Sequence, residues 1–457
     1  MRSSRIFPII PTVFAVVMVT SCTISSTQVR EIRESEVSTA WADMTLYVTK
    51  HTPANSPTYA SRALGYIGVT MYESIVHQHP ECRSMAGQLN GLDTLPMPVP
   101  GSSYNEILSL NAAQALILKK VYDQTSDKNK ARIDSLEKAF FEHFSDEVKN
   151  EQVISRSVAF GRSIAEAIFE WSKTDGGHRG YLNSFDKKNL REHSPGGWEP
   201  PLYGQSWSHY PLHPYWGSNR TFVKQNSELP TPPMLKYDTA RNSPYRQQFM
   251  DVIQKNRKLT QQEKEAALWW GDDPGDTFTP PGHSYYLATL VIKQSGTSLI
   301  KCAETYARVG IAVADAFINC WKWKYHYYSE RPSTFITKHI DKEWESFWPD
   351  PPFPAFPSGH ATQAAATATV LIDLYGEKIS ITDDAHSGRM KDEFSGVEFK
   401  SRSFESFWDV AIETANSRFY GGIHTQQDND TGLREGQKMG RNVNELHWEN
   451  ETVYASH

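Results

Sequence analysis

The stretch 354-PAFPSGHATQAAA-366 joins a proline-rich loop to the start of a helix made of small residues. Serine and glycine precede His360, and alanine and threonine follow it. Small side chains allow neighbouring helices to approach closely, and the first backbone N–H groups of a helix have no partner within it. A helix N-terminus of this kind attracts anions. The stretch therefore predicts a closely packed helix that holds a histidine beside an anion.

The composition is that of a globular protein. The chain has 457 residues, of which 39% are hydrophobic and 22% are charged. Its net charge of −6 and the lack of a basic run argue against a nucleic-acid partner. After the first twenty or so residues no segment is apolar for long enough to span a bilayer, so we expect the mature chain to be soluble. Cys82, Cys302 and Cys320 are far apart and predict neither a disulfide framework nor a zinc site.

The first residues, 1-MRSSRIFPIIPTVFAVVMVTSC-22, have a charged start, an apolar middle and small residues before Cys22. This order is typical of a secretory signal. The end of the segment is similar to the lipobox of bacterial lipoproteins. That resemblance implies a signal peptide over 1–21, lipidation of Cys22 and a tether over 22–33. We expect an exported cell-envelope lipoprotein whose lipid anchor is its only attachment to the membrane; an ordinary signal peptide with an incidental cysteine is the alternative.

Helical periodicity dominates the rest of the chain. One stripe contains Ala60, Leu64, Ile67, Met71 and Ile75, which repeat every 3.6 residues as on an amphipathic helix. Alternation typical of strands is weak. We predict an all-α bundle with long irregular loops, divided into an N-terminal helical region over 34–295 and a C-terminal catalytic region over 296–445. Further helices are expected at 103–123, 151–173, 244–256, 260–270 and 300–327, and a long Gly-, Pro- and Trp-rich loop at 176–242.

Two sequence blocks supply groups that bind oxyanions. In KYHYYSERP, Lys324 and Arg331 are seven residues apart, a spacing that would place both cations on one face of a helix. Lysine offers a point charge and arginine a planar fork for two oxygens. In PSGH, the Ser358 hydroxyl can donate, Gly359 allows the backbone N–H to approach the anion, and His360 lies beside it.

A third block, SRFYGGIHTQQD, contains another cation and another histidine. Arg418 is followed by two glycines that interrupt the helix, and His424 precedes Asp428 by four residues. A carboxylate at this spacing can orient and polarise the imidazole. Each block alone is common on protein surfaces or at helix caps. Their occurrence together indicates a site for a tetrahedral oxyanion.

The order and spacing of the three blocks resemble the type 2 phosphatidate phosphatase/vanadium haloperoxidase superfamily over residues 324–428. The resemblance implies a helical bundle of the vanadium haloperoxidase/acid phosphatase type. It implies that His424 bonds the central vanadium or phosphorus atom, that Asp428 supports His424, and that His360 is the acid–base. The residues that would hold the anion's oxygens are Lys324, Arg331, Ser358, Gly359 and Arg418.

The superfamily performs two chemistries in one pocket. A haloperoxidase member would bind vanadate as its cofactor and use hydrogen peroxide to oxidise a halide, with iodide or bromide the halides we expect. A phosphatase member would need no cofactor and would hydrolyse a phosphate ester through a phosphohistidine. A third possibility is a surface lipoprotein that binds an oxyanion without catalysis. The sequence does not indicate the oligomeric state.

Three features favour the haloperoxidase. FPAFPSGHAT places Phe353 where the resemblance implies a halide pocket, and Trp321 resembles a second aromatic residue of that pocket. The segment WWGDDPGDTFTPPGH looks like bacterial haloperoxidase sequences, although we assign its last residue, His283, to a polar loop outside the site. Glu330 argues the other way, because a carboxylate next to Arg331 could withdraw positive potential from the site.

Overall fold

The computed structural model describes residues 33–201 and 208–450. The predicted signal peptide, Cys22 and all but the last residue of the 22–33 tether lie outside the described residues. Contacts between residues join the chain from Glu34 onward into one unit. No helix in the described ranges is both long enough and apolar enough to cross a membrane.

The prediction of an all-α fold is confirmed. The one sheet in the described residues is a pair of antiparallel strands, β1 (Ile381–Asp383) and β2 (Arg402–Phe404). The helices of the described residues, in chain order, are α1 (Glu34–His51), α2 (Pro57–Glu73), α3 (Glu106–Val121), α4 (Asp127–Val148), α5 (Glu151–Ser172), α6 (Lys224–Ser227), α7 (Pro244–Asn256), α8 (Gln261–Trp269), α9 (Thr279–Ser295), α10 (Leu299–Tyr327), α11 (Pro332–His339), α12 (Gly359–Tyr375), α13 (Phe407–Tyr420) and α14 (Gln426–Asn444).

The expected helices begin and end close to where the periodicity places them, because side chains define their ends. The Ser56 hydroxyl accepts from the Tyr59 N–H at the start of α2, where Pro57 occupies the first turn. Thr425 and Asp428 form a reciprocal capping box at the start of α14. The predicted loop over 176–242 contains, in its described part, only short 3₁₀ turns and the four-residue α6.

Several helix pairs of the described residues, among them α2 with α10 and α12 with α14, approach so closely that only glycine fits at the contact. A Cβ on Gly68 of α2 would lie 2.4 Å from the Tyr306 carbonyl oxygen, and one on Gly310 of α10 would lie 2.5 Å from that of Leu64. Between α12 and α14, a Cβ on Gly436 would lie 2.1 Å from the Thr362 carbonyl oxygen. The small residues of α12 therefore bring α14 within backbone contact, and both helices carry residues of the predicted site at their N-terminal ends.

Candidate active site

The first block lies at the junction of α10 and α11. The prediction that Lys324 and Arg331 share one face of a helix is wrong. Helix α10 ends at Tyr327, and Tyr328 has φ +52°, which turns the chain out of the helix. Arg331 is the N-cap of α11 and not a member of the same helical face as Lys324. The two side chains nevertheless meet, because both lie over the Phe353 ring, with Lys324 Nζ 5.2 Å and Arg331 Cζ 5.1 Å from its centroid.

Backbone carbonyl groups hold both cations. Lys324 Nζ donates to the Pro354 oxygen at 2.9 Å and to the Ala355 oxygen at 2.6 Å. Arg331 Nη1 donates to the Ile423 oxygen at 2.8 Å and to His424 Nε2 at 3.1 Å. The segment 353–355, which the sequence shows only as a proline-rich loop, therefore positions the cations of the first block.

Glu330 does not pair with its neighbour Arg331. The Glu330 side chain is buried and its Oε1 accepts a hydrogen bond of 3.1 Å from the Tyr245 hydroxyl. Burial raises the pKa of Glu330 to about 7. A carboxyl group that is partly protonated near neutral pH lowers the positive potential of the site less than the fully charged carboxylate that the sequence led us to expect.

The second block starts α12 as predicted. Ser358 is the N-cap, and its hydroxyl accepts from the Ala361 N–H. Its own N–H donates to the Asp428 carbonyl oxygen at 3.0 Å, which joins the second block to the third. His360 occupies the first turn of α12, and its Nε2 is buried without a hydrogen-bond partner among the described residues.

The third block spans the break between α13 and α14. Arg418 lies in the last turn of α13 and donates from Nη1 to the Trp270 carbonyl oxygen at 3.0 Å. His424 precedes α14, and its Nδ1 lies 3.0 Å from Asp428 Oδ2. The Thr425 N–H also donates to that oxygen at 3.0 Å. The structure thus places Asp428 Oδ2 within hydrogen-bond distance of His424 Nδ1, and the supporting role of Asp428 stays a prediction.

The three cations are buried without counter-ions. Lys324, Arg331 and Arg418 are 0%, 1% and 2% exposed, and none of them forms an ion pair with a carboxylate among the described residues. Burial lowers the pKa of Lys324, and it lowers the pKa of each arginine to about 10. Both arginines stay charged at neutral pH, so the site has a positive potential that an anion can neutralise.

Both histidines are neutral in this environment. Burial, followed by the positive charges of Arg331 and Lys324, lowers the pKa of His424 well below its usual range. Burial and the charge of Arg418 do the same to the pKa of His360. Since Asp428 accepts the proton of His424 Nδ1, the lone pair of His424 is on Nε2, where Arg331 donates to it. A neutral imidazole with a directed lone pair can bond an electrophilic centre.

A cavity of about 100 Å³ lies between the blocks. Gly359, His360, Arg418 and His424 line it, while Lys324, Arg331 and Ser358 lie buried behind its wall. Trp321 and Phe353 form an aromatic side of the cavity, with ring centroids 4.9 Å apart. The structure thus brings every described residue of the predicted site to one place.

Part of the cavity wall comes from residues outside the three sequence blocks, none of which was predicted to belong to the site. Gly271, Asp272, Asp273 and Pro274 line it, and so does Trp348. The first four belong to WWGDDPGDTFTPPGH, the segment whose resemblance we noticed but whose carboxylates we did not assign. His283, which we placed in a polar loop, is 1% exposed and lies in α9. The sequence signal that could have indicated this part of the wall is the pair of adjacent carboxylates, Asp272 and Asp273, shortly after two tryptophans.

Comparison with known proteins gives three kinds of match. A family model, the VCPO second helical-bundle domain, matches residues 304–450. The vanadium chloroperoxidase of Curvularia inaequalis is 22% identical over 277 residues, which are 47% of this chain and 46% of that protein. The chain thus aligns with about half the length of that relative.

Two solved structures match nearly the whole chain. A bacterial vanadium-dependent iodoperoxidase superposes with a TM-score of 0.77 and 29% identity, covering 92% of this chain and 98% of the other. A bacterial vanadium-dependent chloroperoxidase in its holo form has the same fold, with a TM-score of 0.63 and 16% identity over 92% and 94% of the two chains. Together with the three blocks gathered around one cavity, these matches show that the chain has the fold of the vanadium haloperoxidases and that residues 304–450 match the second helical-bundle domain of that family.

Proposed function

We propose that this protein is a vanadate-dependent haloperoxidase that uses hydrogen peroxide to oxidise a halide, with iodide or bromide as the expected halide. One observation supports the proposal above all others. Three buried cations without carboxylate partners surround a neutral histidine whose lone pair is on Nε2. Such a set of groups is suited to an oxyanion whose central atom accepts a bond from nitrogen.

The residues fit vanadate as the cofactor. Arg418 Nε is a buried donor without a hydrogen-bond partner among the described residues, so it is available to an anion. His360 Nε2 also has no partner there and can accept a hydrogen bond from a protonated oxygen of the anion. Arginine and lysine donors together with N–H groups at the start of α12 suit its oxygens. His424 Nε2 would bond vanadium in place of its present contact with Arg331. The residues that would hold the oxygens are Lys324, Arg331, Ser358, Gly359 and Arg418.

Bound vanadate would supply the chemistry of peroxide activation, and the protein residues would supply positioning and proton transfer. We assign His360 as the base that takes a proton from the incoming peroxide, because the residue lines the cavity and its Nε2 has no hydrogen-bond partner among the described residues. Asp428 keeps the proton of His424 on Nδ1 and so keeps Nε2 available. The buried cations stabilise negative charge on the bound anion.

The halide would occupy the aromatic side of the cavity. Trp321 and Phe353 are polarisable apolar groups beside Lys324, whose Nζ lies 5.8 Å and 5.2 Å from their ring centroids. Moving a large, weakly hydrated anion such as iodide from water to this aromatic side of the cavity costs less hydration free energy than moving a smaller halide. The iodoperoxidase named above is one of the solved structures that match this chain over nearly its whole length.

A phosphatase is the second candidate, because the same residues suit phosphate. A neutral His424 backed by Asp428 has the arrangement of a nucleophile, and His360 could protonate a leaving alcohol. The phosphatase would need no cofactor, and vanadate would inhibit it.

The proposal is tested by loading the metal-free protein with orthovanadate and measuring iodide and bromide oxidation by peroxide. Hydrolysis of a generic phosphomonoester is measured in parallel without vanadate. We expect vanadate-dependent halide oxidation that phosphate suppresses by competing with vanadate during loading. Hydrolysis without halide oxidation would favour the phosphatase, and tight vanadate binding with neither activity would favour the non-catalytic oxyanion-binding protein.

Two lysines of α10 provide a matched control. Lys324→Ala should weaken vanadate loading strongly, because it removes a buried cation behind the cavity. Lys322→Ala changes an exposed lysine two residues earlier, whose Nζ donates to the Ser227 carbonyl oxygen, and should load as the parent does. Equal loading of the two variants would contradict the placement of the oxyanion.

We further propose that the protein is exported and anchored to the cell envelope through a lipid on Cys22. The sequence 1–22 supports this proposal. We also propose that the region 296–445 carries the catalytic groups, with 34–295 contributing part of the cavity wall.

A further inference from the structure

One backbone carbonyl holds a cation of the candidate active site. The Trp270 oxygen accepts a hydrogen bond of 3.0 Å from Arg418 Nη1. Arg418 lines the cavity, and its Nε has no partner among the described residues. The Trp270 carbonyl therefore helps to orient the Arg418 guanidinium at the cavity.

The residues around Trp270 are held in an unusual conformation. Asp272 has φ +50°, in the left-handed region that is rarely populated outside glycine, asparagine and aspartate. Its carboxylate accepts on both oxygens, from His283 Nδ1 at 2.8 Å and from His386 Nε2 at 2.8 Å. The Trp270 ring packs on the His283 ring with centroids 4.5 Å apart.

A second carboxylate completes this cluster. His283 Nε2 lies 2.8 Å from Asp383 Oδ2, which also accepts from Trp269 Nε1 at 2.7 Å. The side chains of Asp272, His283, Asp383 and His386 are no more than 3% exposed. Burial alone would lower the pKa of His283, but Asp383 and Asp272 raise it to about 10. His283 is therefore protonated and donates from both nitrogens at neutral pH.

We propose that His283, Asp383 and His386 are positioning residues which, by holding Asp272, keep the Trp270 carbonyl in place for Arg418. The cluster joins the loop 271–275, helix α9, the end of β1 and the segment after it, and none of its four residues belongs to the three sequence blocks. Only the kinetic test of this proposal rests on the proposed function. The arrangement of the oxyanion site is also tested by vanadate affinity, which can be measured whether or not the protein oxidises a halide.

A structural metal site is the rival explanation. Asp272, His283 and His386 each offer a ligand atom to a common point. Hydrogen bonding explains the distances better, because each oxygen of Asp272 lies 2.8 Å from one histidine nitrogen and Asp383 accepts from the other nitrogen of His283. A metal ion would have to displace the protons of these bonds.

The test compares His386→Ala with His386→Gln. The alanine variant removes one donor to Asp272, whereas glutamine can restore it without a charge. Loss of residues that orient the groups of a metal site typically costs about 10–100-fold in affinity or activity. We expect that loss in vanadate affinity, measured by calorimetry, and in kcat with the halide KM little changed, and we expect His386→Gln to recover most of both.

Asp175→Asn serves as the control for damage to a buried charged group. Asp175 pairs with Arg62 at 2.6 Å, both are 3% exposed, and neither lines the cavity. This variant should lower the unfolding temperature and keep the parent's vanadate affinity. If Asp175→Asn lost as much vanadate affinity as His386→Ala, the effect would be one of general stability and the proposal would be wrong.

Vanadate affinity also gives the result that would overturn the proposal. Parent-like vanadate affinity in both His386→Ala and Asp272→Asn would contradict it. So would a stoichiometric divalent metal whose removal by a chelator abolishes vanadate binding. A parent that binds vanadate but oxidises no halide would contradict the proposed function and leave this test intact.

Discussion

Removing a charge from water costs several kcal/mol even after the protein relaxes, and this site buries two arginines together with a lysine whose pKa burial lowers to about 7. Lys324 and Arg331 regain part of that cost from carbonyl groups, while Arg418 Nε has no partner among the described residues. Helix packing must hold these side chains in place against their mutual repulsion. An anion that enters the site should therefore bind tightly and also stabilise the fold.

The two histidines should differ in what their removal does. His424→Ala should abolish turnover and leave weak electrostatic binding of vanadate, because the three cations remain. His360→Ala should keep much of the vanadate affinity while kcat falls by about 10²–10⁴-fold, the usual contribution of a general acid–base, with an altered pH profile. Calorimetric vanadate titrations and steady-state halide oxidation measure the two effects. Normal turnover by His424→Ala, or an unchanged pH profile for His360→Ala, would show that the roles are wrongly assigned.

Glu330 should make the stability of the protein depend on pH. Its pKa rises from 4.5 to about 7 on folding, so the folded state binds the proton more tightly than the unfolded chain does. The resulting stabilisation is complete below pH 4.5 and is lost as the pH rises through 7. Glu330→Gln keeps an acceptor for Tyr245 and removes the titration.

We therefore expect Glu330→Gln to gain unfolding temperature relative to the parent between pH 5 and 8, measured by thermal denaturation. The exposed Glu343→Gln provides the same change of charge without burial. A parallel pH dependence of Glu330→Gln and the parent would mean that Glu330 does not titrate as its environment indicates.

At the scale of elements, the site depends on how closely α12 and α14 pack. Gly432, Gly436 and Gly440 are four residues apart on α14, and a Cβ on any of them would lie within 2.8 Å of an α12 atom. Helix α12 presents alanine and threonine to this face, and its larger apolar side chains lie in its last turns, from Val370 to Tyr375. The Ser358 N–H contact with the Asp428 carbonyl oxygen follows from this packing, and it fixes the distance between His360 and His424.

Gly436→Ala should therefore destabilise the protein, although alanine normally stabilises a helix relative to glycine. The added methyl group would meet the Thr362 carbonyl oxygen and force the helices apart, at about 1–3 kcal/mol, the usual cost of overpacking. Denaturant unfolding measures the change, and vanadate affinity should fall with it. Gln437→Ala, on the half-exposed side of the same helix, should be neutral or stabilising. A stabilised Gly436→Ala variant would contradict the packing argument.

At the scale of the whole molecule, one cavity collects residues from distant parts of the chain. Its wall includes Pro57 at the start of α2, Leu212, Asp272, and His424 ahead of α14. The described residues from Glu34 onward form one unit, and the bacterial iodoperoxidase matches over 98% of its own length. The catalytic blocks therefore need the N-terminal helices to close their cavity.

The anchor is a property of the whole chain, since we expect it to decide where the protein resides. Cys22→Ser should move the protein from the membrane fraction to the soluble fraction, because no helix in the described residues could span a membrane. Fractionation followed by a high-salt wash makes the measurement, with Cys82→Ser as the control. A Cys22→Ser protein that stays in the washed membranes would contradict lipidation at this residue.

The sequence by itself determined the groups of the oxyanion site, because each block is a short segment whose residue types are needed for the chemistry. It also determined most helices, since their apolar stripes and caps are local. The tertiary structure decided the rest. It ended α10 at Tyr327, so Lys324 and Arg331 meet through the 353–355 carbonyls and not along one helix.

It also turned the segment after Trp269 into a wall of the cavity. The structural role of Asp272 and His283 depends on partners 100 or more positions away in the chain. His283 pairs with Asp383 and Asp272 with His386, and no local sequence pattern shows such pairs. Helix α9 begins with Thr-Pro-Pro-Gly, a start that reads as a loop until tertiary contacts bury it. Local physics chose the residues that we assign to the anion site, and long-range packing chose the residues that hold them in position.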